Sequence, residues 1–221
     1  MEKRKPENIV ILAAGDFPTH PIPLKALQEA DFVVCCDSAY TQFSIFNFQF
    51  SIPFVVIGDG DSLSETDKSA LGDRWIHVAE QDYNDLHKAM AWATSHFPLS
   101  SFNFQLLGAT GKREDHTLGN ISYLITFAEE YPGIRLEMLT DHGRFLAFRG
   151  ERTFESFPGQ QVSLFTPDPA TAVTSDGLRW PLRDFHARLW WQATLNEALA
   201  DTFSLSVTGP VILFQSYEPK V

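Results

Sequence analysis

Phe102–Ile121 reads FNFQLLGATGKREDHTLGNI. An apolar run, Phe104-Gln105-Leu106-Leu107, gives way to a small glycine-bearing turn, Gly108-Ala109-Thr110-Gly111. Lys112, Arg113, Glu114, Asp115 and His116 follow. From Thr117 to Glu130 the apolar residues Leu118, Ile121, Leu124, Ile125 and Ala128 recur at helical spacing. The order is strand, glycine loop, charged cluster, helix. It gathers free backbone N–H groups, two cations and a carboxylate at one point, and phosphate chemistry draws on all three. The loop is not a Walker A motif. Leu106 stands where that motif has its first glycine, and Arg113 where it has Ser or Thr after the lysine.

Upstream, apolar runs at Asn8–Ala14, Asp31–Cys36, Phe54–Ile57 and Trp75–Val78 read as strands. Ile134–Thr140 is a further strand downstream. Pro18–Pro23 reads as a loop. Leu24–Ala30, Ser64–Leu71 and Asp85–His96 read as helices, Ser64 with Asp67 forming a capping-box variant. Leu86, Ala89, Met90 and Ala93 share one face of the last. Near-continuous apolar strands alternating with helices predict a parallel sheet covered on both faces. The expectation is therefore a Rossmann-like α/β domain over residues 1–143. Ligands of such sheets sit at the carboxyl ends of the strands. Three early strands end there in acid: Asp16, Asp37, and Asp59 with Asp61.

Beyond Gly143 the pattern changes. Arg144–Phe148, Gln161–Phe165, Phe203–Val207 and Val211–Gln215 are short alternating or β-branched runs divided by Gly, Pro, Asp and Thr. They predict an antiparallel β-sandwich or barrel domain over residues 144–221. Thr208-Gly209-Pro210 reads as a hairpin turn and Asn196–Leu199 as a helical turn.

Composition bounds the function. A chain of 221 residues can bury a sizeable core, and 44% hydrophobic with 20% charged residues is ordinary for a globular protein. A formal charge of −11 argues against a general nucleic-acid surface or an anionic membrane as partner. Cys35 and Cys36 are neighbours on a strand, point to opposite faces and make poor disulfide partners. The expected compartment is a reducing one, the cytoplasm. Ile9–Ala14 is too short for a signal-peptide core, and no segment has membrane-spanning length.

Asp59-Gly60-Asp61 turns two carboxylates toward one site. At about 4 Å such charges repel by about 4 kcal/mol at an effective dielectric of about 20. A divalent cation relieves the conflict, and hard oxygen ligands suit Mg²⁺; a plain Asp-Gly turn is the alternative. Asp82 or Asn84 can cap the helix at Asp85, or Asp85 can complete a metal site. Lys112 and Arg113 can neutralise phosphate oxygens, Arg113 with bidentate geometry. Asp115 is either an N-cap or the group that orients or deprotonates a hydroxyl. His116 is a hydrogen-bonding group or an exposed first-turn residue, and Asn120 shares its face.

An ordered series of motifs resembles the thiamine pyrophosphokinase family. It comprises Cys36-Asp37-Ser38-Ala39, Gly58–Ser62 (GDGDS), Gln81–Ala89 (QDYNDLHKA) and Gly108–Ile121, the most specific of the set. It continues with Gly159–Pro167 (GQQVSLFTP), Thr174–Leu182 (TSDGLRWPL) and Thr194–Ala198 (TLNEA). The resemblance implies an N-terminal α/β domain and a C-terminal β-sandwich, in a homodimer with active sites between subunits. It implies transfer of pyrophosphate from ATP to the hydroxyl of thiamine, releasing AMP. By position, Asp59, Asp61 and Asp85 are implied as Mg²⁺ ligands, and Arg113 and Asp115 as phosphate and hydroxyl partners. Asp37, Gly108, Thr110, Gly111, Arg113, His116 and Asn120 are implied on the nucleotide side. Gln81, Asn84, Trp180 and Asn196 are implied on the thiamine side; Trp180 would otherwise be β-domain core. The chain departs from the family pattern at Gly60, usually bulky and apolar, at Lys112, usually small, and at Leu195, usually Ser. The competing readings are a Mg²⁺-dependent phosphohydrolase with Asp59 as nucleophile and a thiamine- or nucleotide-binding protein without turnover.

Overall fold

The computed structural model describes residues 8–219. They fall into two compact units, the first ending at Asp141 and the second beginning at His142, with Leu124–Glu129 counted in the second.

In the first unit the five-residue runs NIVIL, FVVCC, FVVIG and NFQLL form β1 (Asn8–Leu12), β2 (Phe32–Cys36), β3 (Phe54–Gly58) and β5 (Asn103–Leu107). β4 (Trp75–His77) and β6 (Arg135–Leu139) flank them. Every pairing in the order β6-β5-β1-β2-β3-β4 is parallel. The chain builds outward from β1 to β4, then crosses back to lay β5 on the other side of β1. A topological switch point therefore lies between β1 and β5, the place where open α/β sheets bind ligands. The linking helices are α1 (Pro21–Gln28), α2 (Tyr40–Phe50), α3 (Glu65–Leu71), α4 (Asp85–His96) and α5 (Glu114–Glu130). Alternation along the strands sorts the core. Val10, Leu12, Val33, Cys35 and Val56 pack with Leu27, Phe43 and Leu71 of α1, α2 and α3. α4 packs across β1, β2 and β3 and buries Leu86, Ala89, Met90 and Ala93. Among the described residues no helix is long and apolar enough to cross a membrane.

Several boundaries differ from expectation. The predicted loop at Pro18–Pro23 runs into α1, because proline is tolerated at the first helical positions, where its missing N–H leaves no gap. α2 carries no periodic signal in the sequence, because YTQFSIFNFQF is apolar on nearly all sides and offers no 3.6-residue contrast. Its end is secured by Ser51 in the left-handed region (φ 53) and by Asn47, whose side chain accepts from Ile52 N at 2.7 Å and donates to Ile52 O at 3.0 Å. Ser64 caps α3, accepting from Asp67 N at 3.1 Å, as its spacing predicts.

The second unit is antiparallel throughout its pairings. Its long strands are β7 (Gly143–Glu155) and β12 (Thr202–Pro219); β8 (Gln160–Phe165), β9 (Ala172–Asp176), β10 (Phe185–His186) and β11 (Asn196–Glu197) are shorter. The predicted hairpin turn at Thr208–Pro210 is instead a bulge inside β12, whose register shifts between Val207 and Val211. Before the bulge β12 pairs with β9, and after it with β8, while β7 runs beside both halves. A bulge leaves residues outside the ladder, so Pro210 costs no hydrogen bond. Asn196–Glu197, expected as a helical turn, is the short strand β11 beside β8. Leu146, Phe148, Phe154, Val162, Leu164 and Phe203 contribute to the core of this unit.

The β1–β5 pairing leaves no room for a side chain just beyond it. A Cβ on Gly15 would lie 2.2 Å from the Thr110 carbonyl oxygen and 2.5 Å from that of Gly108. Gly15→Ala is expected to destabilise the protein by about 1–3 kcal/mol, the usual cost of overpacking. Urea unfolding with wild-type stability would contradict this placement.

Candidate functional site

The glycine turn is held open by its neighbours. The β1–β5 contact continues past the strands through Ala13 N to Leu107 O (2.8 Å), Gly15 N to Gly108 O (2.6 Å) and Asp16 N to Thr110 O (2.8 Å). Gly108 and Gly111 sit at φ +60 and +82, and a Cβ on Gly111 would lie 2.1 Å from Asp16 Oδ2. Only glycine meets both demands. Lys112 also lies in the left-handed region (φ 58), and its Nζ donates to the Ala14 carbonyl at 2.6 Å. The amine thus clamps one loop to the other. The backbone there favours a glycine, which explains why a small residue suits that position.

Two asparagines lock the turn to α4. Asn120 Nδ2 donates to Ala109 O at 2.8 Å, and its Oδ1 accepts from Asn84 Nδ2 at 3.0 Å. Asn84 in turn caps α4, accepting from His87 N at 3.1 Å, so of the two candidate caps it is Asn84 that serves. α5 begins at Glu114, which places Asp115 in its first turn rather than at its N-cap. Asp115 accepts from Arg113 Nε at 3.1 Å and from its Nη2 at 2.5 Å. That bond holds the Asp115 carboxyl below its usual range and raises the Arg113 guanidinium.

The acidic strand ends form the second half of the site. Asp37 follows β2 and is 2% exposed. It accepts from Gly60 N at 3.0 Å. A Cβ on Gly58 would lie 2.7 Å from the Asp37 carboxyl carbon, so the turn after β3 closes over it. Burial pushes the Asp37 carboxyl up, against the Gly60 bond, and the Asp59 charge adds to the rise. Asp59 accepts from Asp61 N and Gln81 Nε2, each at 3.1 Å, and these bonds hold it down. Burial also raises Asp85, with the Asp37 charge next in effect and Lys88 opposing. Asp37, Asp59 and Asp85 thus feel one another, while Asp61 is exposed. Among the described residues no three His, Cys, Asp or Glu side chains are gathered closely enough to hold a metal ion. The donor set still fits Mg²⁺, which takes one or two carboxylates and keeps waters or phosphate oxygens for the rest.

The two halves meet at a cleft of about 320 Å³ at the carboxyl ends of β1, β2 and β5. Of the expected residues, Asn84, Asp85, Gly111, Arg113, His116 and Asn120 line it. Asp37, Asp59, Asp61, Gln81, Gly108, Thr110 and Asp115 do not; they shape or flank the loops that do. Trp180 and Asn196 belong to the second unit. Asn196 is buried and spends both ends of its amide on Trp180, accepting from its N at 3.1 Å and donating to its O at 2.7 Å. The Trp180 indole, 53% exposed, is presented to the outside rather than packed as core. Sequence reasoning overlooked Gly15 and Lys88. The signal for Gly15 was a glycine directly after a buried strand; for Lys88 it was the i,i+3 spacing from Asp85.

This is an α/β protein whose cleft sits at the switch point of a parallel sheet. A family model described as the catalytic domain of thiamin pyrophosphokinase matches residues 24–136, and one for its substrate-binding domain matches residues 143–214. The thiamine pyrophosphokinase of Bacillus subtilis (strain 168) is 31% identical over 174 residues, 75% of this chain and 79% of that one. Thiamine pyrophosphokinase 1 of Oryza sativa subsp. japonica is 32% identical over 143 residues, 59% of this chain and 53% of its own length. The fold matches thiamin pyrophosphokinase from Candida albicans with a TM-score of 0.81 at 18% identity, covering 97% of this chain and 90% of that one. It matches the Bacillus subtilis enzyme's crystal structure with a TM-score of 0.76 at 23% identity, covering 95% and 99%. The chain belongs to the thiamine pyrophosphokinase family.

A carboxyl raised in the folded state supports the fold below its unfolded pKa and costs stability as pH rises through the folded value. Asp37→Asn keeps an acceptor for Gly60 N and removes the buried charge. Its thermal midpoint should exceed wild type at about pH 8, with the gain shrinking as pH falls toward the ordinary carboxylate range. A variant less stable than wild type at about pH 8 would contradict the burial argument.

Proposed function

We propose that the chain is a thiamine pyrophosphokinase, transferring the β,γ-pyrophosphoryl group of ATP to the primary hydroxyl of thiamine and releasing AMP. The observation that supports this most is the cleft at the switch point, where the glycine turn, Arg113 and Asp85 converge in a member of this family. On this reading residues 1–143 are a Rossmann-like catalytic domain that takes ATP and Mg²⁺. Residues 144–221 are a β-sandwich that takes thiamine and dimerises. The enzyme acts in the cytoplasm as a homodimer with its active site between subunits.

The thiamine hydroxyl attacks the β-phosphorus in line. A new oxygen–phosphorus bond forms, and the bridging oxygen leaves with AMP. The turn Gly108–Gly111, with Thr110, admits the nucleotide close to the backbone, and the start of α5 favours its negative charge. His116 and Asn120 line the same wall. Arg113 is paired with Asp115 at the surface, and an exposed pair costs little to open. Opening it frees Arg113 for the phosphate oxygens and Asp115 to orient the hydroxyl or take its proton. Asp59, Asp61 and Asp85 would hold Mg²⁺, with Gln81 fixing Asp59 and Asp37 fixing the turn through Gly60. Magnesium, when bound, supplies neutralisation of phosphate charge. Asn84 positions α4 and the Asn120 amide on the substrate side. Trp180 offers its exposed indole as a wall for thiamine's rings, steadied by Asn196. Positioning and electrostatics dominate this class of reaction, so a strong base is not required.

Purified protein with thiamine, ATP and Mg²⁺ should form AMP and thiamine diphosphate in step. A phospho-aspartate trapped on Asp59 without thiamine diphosphate would overturn the reading in favour of hydrolysis. Asp61→Asn should lose at least about 100-fold in turnover; near-normal activity would remove Asp61 from the metal site. Trp180→Ala should chiefly raise the KM for thiamine, and an unchanged KM would return Trp180 to a scaffold role.

A further inference from the structure

Lys88 is the residue whose presence the reaction does not yet explain. It lies on α4, one helical turn after Asp85, and its side chain is only 5% exposed. Its Nζ stands 3.4 Å from Asp85 Oδ1. A surface i,i+3 pair would leave the amine in water. This one is buried, and an ammonium taken out of water costs several kcal/mol unless anions surround it. The anions are at hand: Lys88 opposes the rise of Asp85 and also draws Asp59 down. Nearby cations are committed elsewhere. Arg113 bonds to Asp115, and Lys112 donates to the Ala14 carbonyl.

We infer that Lys88 is a positioning residue: its buried ammonium is the resident counter-charge of Asp85, holding that carboxylate in place and competing with an incoming divalent cation for it. The inference rests on the metal site of the proposed function. The charges of Asp37 and Asp59 both oppose ionisation of Asp85, and the fold has to tolerate that before any metal arrives. Lys88 offsets that repulsion from the same helix that carries Asp85. The same charge lowers the attraction of Asp85 for a second cation. Binding strength for the metal is thereby traded for a site that is already assembled.

The test uses Mg²⁺ alone, without nucleotide, at about pH 8, well above the ordinary carboxylate range. Thermal midpoints are followed against Mg²⁺ concentration for wild type, Lys88→Met, Lys88→Gln and Lys88→Arg. Removing the charge that stands 3.4 Å from Asp85 Oδ1 should lower the half-saturating Mg²⁺ of the Met variant by about fivefold or more. Arg keeps the charge and should stay within about twofold of wild type. The Gln variant makes the same comparison should Met fail to fold. An unchanged or raised half-saturation in the neutral variants overturns the inference while leaving the metal site standing. A wild type that shows no response to Mg²⁺ removes the metal site itself, and the inference with it.

Discussion

The site depends on a backbone contact that outlasts the sheet. β1 and β5 pair as ordinary parallel strands, and their hydrogen bonding continues through Gly15 and Asp16 into the glycine turn. That extension fixes the direction in which both loops leave the sheet. It forces a glycine at 15, because the turn's carbonyls occupy the space of a side chain, and a glycine at 111, because the Asp16 carboxylate does. Lys112 adds a third tie across the same gap. A turn held at so many points cannot collapse when empty, so its polar groups are placed before a ligand arrives. Placement made in advance is what electrostatic catalysis requires.

Facing that turn, the structure buries charge. Asp37 is nearly inaccessible, Asp85 is half-buried, and the Asp37 charge adds to the rise of the Asp85 carboxyl. A fold selected for stability alone would place neutral groups here, since buried carboxylates cost more than they return. The cost makes sense where a cation is meant to come. The backbone amide of Gly60, the side chain of Gln81 and the ammonium of Lys88 each offset part of it. The exposed pair of Arg113 and Asp115 follows the opposite logic. It is cheap to break and is therefore available to rearrange around a substrate.

The parts of the fold that follow from local rules were legible. Buried apolar strands, the α4 boundaries, the Ser64 cap and the switch to antiparallel strands after Gly143 all show in residue patterns. The misses have physical causes. α2 has no polar face to betray its period. Thr208-Gly209-Pro210 has turn composition, yet a bulge accepts the same residues, and long-range pairing with β7 decided between them. At the site, residue types and spacing picked out the glycine turn and the acids. They did not show that Asn84 and Asn120 bond to each other, that Asn196 clasps Trp180, or that Lys88 is buried. Those are contacts between residues distant in sequence, or burial set by packing, and neither is written locally.

On the proposed function, nucleotide phosphates enter the cleft against the tied loops of β1 and β5. Backbone amide NMR of the protein with Mg²⁺ and α,β-methylene ATP, an analogue that resists cleavage, tests it directly. The account predicts the largest shifts at Gly15, Asp16 and Gly108–Asp115, with smaller ones along the rest of α5. Shifts centred elsewhere, with those amides unmoved at saturation, would contradict it.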